Sequence, residues 1–80
     1  MENFTPKGVC SNKIEFDVKD GKVTNVRFYG GCNGNLQGIS RLVEGLDVDV
    51  VIDKLKGVKC GIKQTSCPDQ LAKALENYKI

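Results

Sequence analysis

The sequence predicts an α+β fold: an antiparallel β-hairpin or small sheet packed against about three helices. Three observations predict it. "KIEFDVK", residues 13–19, alternates apolar and charged positions, the pattern of a half-buried strand. Asp20-Gly21 follows at once, a strong signal for a two-residue hairpin turn. The chain beyond residue 35 changes period, with Leu36, Ile39 and Val43 and later Leu71, Ala74, Leu75 and Tyr78 at helical spacing.

The elements follow in order. Residues 1–9 read as an extended lead-in broken by Pro6 and Gly8. In the first strand Ile14, Phe16 and Val18 share one face, and Glu15 and Asp17 the other. "KVTNVRFY", residues 22–29, is the second strand. Val26 and Phe28 keep its alternation while Val23 is out of phase, so a bulge or a slipped start is expected. "GGCNGN", Gly30 to Asn35, calls for a turn with positive φ or a close backbone approach. It delivers the chain into a helix carrying Leu36, Ile39, Leu42 and Val43, and Gly45 stops it. Asp47 is placed to cap a second helix with Val50, Val51 and Leu55 on its apolar side and Gly57 at its end. Residues 57–65 are a glycine-punctuated loop. In the last helix Ser66 is the N-cap, Asp69 stands three residues on in a variant of the capping box, and Pro68 occupies the first turn.

Eighty residues make one domain, 1–80, with a modest core. Small cores often carry a staple, and four cysteines point to a disulfide or a metal. The net charge of +2, with no arginine run and no aromatic-basic interleaving, argues against a nucleic-acid partner. No stretch is long and apolar enough for a bilayer, so no membrane partner is expected. Met1-Glu2-Asn3 has neither the basic start nor the apolar run of a signal peptide, which predicts a cytoplasmic protein. In a reducing compartment cysteines lean toward metal or redox chemistry rather than structural disulfides. Conventional enzymatic machinery is not expected. The chain has no histidine for general-base work, and "GGCNGN" lacks the Lys-Ser/Thr ending of a phosphate loop.

The cysteines are Cys10, Cys32, Cys60 and Cys67, and no two form a C-x-x-C pair. All four fall at predicted loops or element ends. Cys32 and Cys67 sit just before or at helix N-termini, where the dipole and free N–H groups favour a thiolate, the form that ligates metal. Cys10 precedes the first hairpin strand and Cys32 follows the second, so both belong to the open end of the hairpin. If the 57–65 loop returns to that end, Cys60 and Cys67 join them. Lys54, Lys56, Lys59 and Lys63 are either a solvated loop face or a positive field around Cys60. From the residues alone three readings stand: a shared metal or cluster site, redox thiols including a reversible disulfide, or inert cysteines.

"GVCSNKIEF", "GGCNGNLQGI" and "CGIKQTSCPDQLAKAL" together resemble the TSCPD domain, over about Gly8 to Leu75. That family occurs as small stand-alone proteins and as a C-terminal segment of some cobalamin-dependent ribonucleoside-diphosphate reductases. The resemblance implies metal binding by the four cysteines, a protein partner, and, as an alternative role, a redox or accessory module linked to ribonucleotide reductase. The order of elements is also similar to that of the IscU and NifU N-terminal iron–sulfur scaffold proteins, whose cysteines before the first strand, after the hairpin strands and in a late loop converge on zinc or a cluster. Cys10, Cys32 and one of Cys60 or Cys67 match those positions. The scaffold pattern has an aspartate where Asn12 stands and a histidine beside the late cysteine, and this chain adds Cys67 instead. Four thiolates suit a closed, tetrahedral structural site. The resemblance therefore implies zinc held by Cys10, Cys32, Cys60 and Cys67, with iron or an iron–sulfur cluster as the alternative.

Overall fold

The computed structural model describes residues 2–9, 11–30 and 33–79. It has three strands, β1 (Glu2–Phe4), β2 (Ser11–Lys19) and β3 (Lys22–Gly30), and three helices, α1 (Asn33–Val43), α2 (Val48–Leu55) and α3 (Cys67–Lys79). The strands form one antiparallel sheet in the order β1-β2-β3. The α+β expectation holds.

The hairpin forms as the sequence dictates. Asp20 (φ 54°) and Gly21 (φ 77°) both take left-handed conformations, which pairs Lys19 with Lys22 and Val18 with Val23. Two positive φ values in a two-residue loop match the twist of the flanking strands. Gly21 carbonyl also accepts the Val48 N–H at 3.0 Å, so the turn anchors the start of α2. Gly21→Ala is expected to cost about 1–2 kcal/mol in urea denaturation, because a Cβ disfavours this backbone region.

The phase slip at Val23 is a bulge. Glu15 faces Arg27 but Asp17 faces Thr24, so β3 uses one residue more than β2 across that step. Asn25 absorbs it at φ 54°. Its N–H donates to Glu44 Oε1 at 2.9 Å and its side-chain amide to Asp17 Oδ2 at 3.1 Å. The bulge lets both Val23 and Val26 point into the core. A second irregularity lies between Ser11 and Lys13 at the open end of the hairpin.

One face of the sheet, with Ile14 and Phe16 of β2 and Val23 and Val26 of β3, meets Val43, Val48, Val51, Leu71, Ala74 and Leu75 from the helices in a single cluster. Full burial of a side chain of this size contributes roughly 1.5–3 kcal/mol, which makes this cluster the main support of the fold.

Four local expectations change. The lead-in is not merely extended: Glu2–Phe4 pairs with β2 as a third strand, Phe4 opposite Ile14, and Phe4 packs against the core. Leu42 is 78% exposed, since it sits about 100° around α1 from buried Val43. In α2 the inward residues are Val48 and Val51, backed by Ile52 and Leu55, while Val50 faces out. Asp47 occupies the N-cap position of α2 but makes no side-chain cap, because its carboxylate accepts from Lys22 Nζ at 3.0 Å.

Candidate metal centre

The loop after α2 closes on itself before it enters α3. The Cys60 N–H donates to Thr65 carbonyl at 3.2 Å and the Lys63 N–H to Cys60 carbonyl at 3.0 Å. Ser66 then starts α3 as expected: its hydroxyl oxygen accepts the Asp69 N–H at 3.1 Å. The same hydroxyl donates to Val58 carbonyl at 2.6 Å, so one side chain caps the helix and holds the returning loop. Ser66→Ala removes both bonds and is expected to cost about 1–2 kcal/mol in urea unfolding.

Asp69 does not reach back to complete a capping box. It is buried, and it accepts the Gly57 N–H at 2.7 Å and the Thr65 hydroxyl. Burial pushes its carboxyl up, but those two hydrogen bonds, with the charges of Lys73 and Lys56, outweigh it and hold the group below the usual carboxylate value. Gln70, also buried, donates its amide to Thr65 Oγ1 at 2.9 Å and accepts the Lys7 N–H at 3.2 Å. The lead-in is thereby tied to the late loop through α3. A Cβ on Gly8 would stand 3.4 Å from Thr65 Cγ2, which shows how closely the two segments approach. Asp69 and Gln70 look like ordinary first-turn helix residues in sequence, and no local signal marks them as the centre of this network.

This network sets Cys67 at the first position of α3, half-buried, and Cys60 on the exposed loop. Both are free thiols lining one cavity of about 240 Å³. Its walls include Val9, Leu36, Ile39 and Pro68, with Lys59 and Lys63 beside the cysteines. Of the four lysines Lys54 belongs to the last turn of α2 and Lys56 is diverted to Glu76 at 2.9 Å, which leaves Lys59 and Lys63 beside Cys60 at the cavity. Ser11, which begins β2 and is 4% exposed, places its hydroxyl 2.7 Å from the Cys67 sulfur. Sequence reading did not single out Ser11; its role arises from a contact between chain segments far apart in sequence.

Cys10 and Cys32 lie outside the described residues. Among the described residues no group of three or more cysteine or acidic side chains is disposed to hold a metal ion. The structure therefore brings together Cys60 and Cys67. It also brings to them Val9 and Ser11, the described residues on either side of Cys10, and Asn35 and Leu36, which follow Cys32 in α1.

The TSCPD domain family model matches residues 2–79. The chain belongs to the TSCPD domain family. No curated protein and no solved structure matched it. The motif that gives the family its name is Thr65 to Asp69 here, and its five residues divide their work. Thr65, Ser66 and Asp69 form the hydrogen-bonded junction between the late loop and α3. Pro68 fits the first helical turn and, with Cys67, lines the cavity. No helix in the described part of this TSCPD domain is long and apolar enough to cross a membrane.

Proposed function

We propose that this TSCPD domain is a small, non-catalytic metal-binding module in which Cys10, Cys32, Cys60 and Cys67 hold one zinc ion. The observation that carries this reading is the meeting of Cys60 and Cys67 at one apolar cavity that Val9, Asn35 and Leu36 also line.

The surroundings fit the group. A set of soft thiolate donors with no histidine suits zinc or an iron–sulfur centre. Four thiolates around a divalent ion leave two negative charges, and Lys59 and Lys63 stand where they offset them. The Ser11 hydroxyl can donate to the Cys67 thiolate and fix its direction, as outer hydrogen bonds do for metal ligands. When bound, the metal supplies cross-linking: it joins the lead-in, the hairpin end, the late loop and α3. A module of this kind acts through a protein partner in the cytoplasm.

A second reading, an iron–sulfur scaffold or carrier, is favoured by one observation. The cavity of about 240 Å³ is larger than a single ion needs, and Cys60 at its side is exposed. Metal analysis of protein purified without chelator, run beside anaerobic reconstitution with iron and sulfide, separates the two. One zinc per colourless chain supports the first reading. A brown protein that transfers its cluster to an acceptor supports the second. A metal-free chain with four freely reactive thiols and an unchanged fold refutes both.

A further inference from the structure

The sheet order β1-β2-β3 makes β3 an edge strand. The chain itself covers the first part of the outer edge. Val23 donates its N–H to Leu46 carbonyl at 2.8 Å and accepts the Gly45 N–H at 2.8 Å, and the Asn25 N–H goes to Glu44 Oε1 at 2.9 Å. Beyond Asn25 that cover stops. Arg27, Phe28 and Tyr29 pair in succession with Glu15, Ile14 and Lys13, so alternate residues turn their N–H and C=O away from β2. Among the described residues, no backbone group of residues 26–29 bonds to a segment other than β2.

A cleft of about 540 Å³ opens along this stretch. Residues 26–29 all line it, and Leu36, Ser40 and Arg41 of α1 form the opposite wall. Successive strand residues point to opposite faces of a sheet. An opening that touches four in a row therefore follows the edge of the strand and not one of its faces. An open strand edge offers main-chain hydrogen bonds to an extended peptide, which adds to the sheet as a further strand. At ~3.4 Å per residue the open stretch matches a run of about four or five residues.

Charge selects the occupant. Arg27 and Tyr29 share the outer face of the sheet with their cross-strand partners Glu15 and Lys13. Glu15 already accepts the Tyr29 hydroxyl at 2.6 Å and pairs with Lys13 Nζ at 3.3 Å, so cations outnumber acids on that face. Arg41, on the helix side, forms no ion pair among the described residues. No acidic side chain among the described residues lines the cleft. Phe28 takes the opposite face of the strand, against the core. A second copy added edge to edge would set the same arginines against one another. The complementary strand carries acids toward Arg27 and apolar side chains toward Phe28.

We propose that the open half of the β3 edge binds an extended, acidic segment of a protein partner as an added strand. This surface does not depend on the metal reading.

A blocked hexapeptide of alternating glutamate and valine, titrated into the ¹⁵N-labelled full chain at fixed ionic strength, tests the site. Saturable shifts are expected at the amides of residues 26–29, with intermolecular Overhauser effects to their backbone protons. The same peptide N-methylated at every residue keeps its side chains but loses its N–H donors, and should bind about tenfold more weakly or worse. Arg27→Glu combined with Arg41→Glu should weaken the acidic peptide to a similar degree and strengthen a lysine–valine analogue. Both arginines are exposed, so this variant should keep the wild-type fold. Lys59→Gln combined with Lys63→Gln should bind the acidic peptide as the wild type does. Four results would each overturn the proposal. No shifts at residues 26–29 would mean that Arg27 only blunts the edge. Equal binding of the N-methylated peptide would exclude strand addition, and equal binding of the lysine–valine peptide to the wild type would exclude the acidic partner. Concentration-dependent shifts at these amides without peptide would assign the edge to a second copy.

Discussion

Cys60→Ser is expected to strip the metal from the chain and to lower the stability of the as-purified protein by more than about 2 kcal/mol. Structural zinc in small domains contributes roughly 10–16 kcal/mol of apparent binding free energy, and that binding is coupled to folding. Loss of one thiolate in four removes a sizeable part of it. Cys60 is the informative choice because its own packing is so slight. It is exposed on a loop, and a surface substitution without partners changes stability by no more than about 0.5 kcal/mol. After chelator treatment, wild type and Cys60→Ser should therefore unfold at nearly the same urea concentration. A deficit that persists without metal would assign the effect to the loop and not to a ligand. Cys10→Ser, Cys32→Ser and Cys67→Ser should reproduce the metal loss.

Asp69 carries the second large effect. Asp69→Ala takes the buried acceptor away from the Gly57 N–H, on an exposed residue, and from the half-buried Thr65 hydroxyl. Hydrogen bonds to a charged group contribute about 1.5–3 kcal/mol each and water can partly replace these, so a loss of about 1–3 kcal/mol is expected, with or without metal. The same carboxylate makes stability pH-dependent. Its folded pKa is lowered from the ordinary 3.8, so the unfolded chain takes up the proton first as pH falls. The contribution is full above the ordinary value and is lost as pH drops through the folded one. Urea midpoints of the metal-free protein should fall across that acid window in the wild type and much less in Asp69→Asn. Parallel curves for the two proteins would show that Asp69 is not the group responsible.

How much of this was legible in the sequence depended on how local each cause is. The Asp20-Gly21 turn, the Ser66 cap and the Leu71–Leu75 stripe are fixed by residues within a few positions of one another, and each formed as read. The out-of-phase Val23 announced a bulge, and Asn25 supplied it. Features set by distant partners were not legible. Three residues are too few to show strand alternation, so β1 is recognised only by its pairing with β2. Val48 stands three residues before Val51 and shares its helical face, whereas Val50 is one residue, about 100°, away. Which of them turns inward is decided by how α2 docks on the hairpin turn through the Val48 N–H. Asp47 was drawn from its cap by Lys22, and Asp69 from its box by Gly57 and Thr65.

The same division runs through the candidate site. The cysteines were visible by type and by position at element ends, and the return of the late loop to the β2 start follows that expectation for Cys60 and Cys67. The Ser11 contact and the Lys7–Gln70–Thr65 chain could not be seen, because nothing in their immediate neighbours distinguishes them.

X-ray absorption at the zinc edge of the as-purified protein tests the four-thiolate centre most directly. Four sulfur scatterers at ~2.3 Å are predicted. A first shell of oxygen or nitrogen, or fewer than four sulfurs, would contradict it.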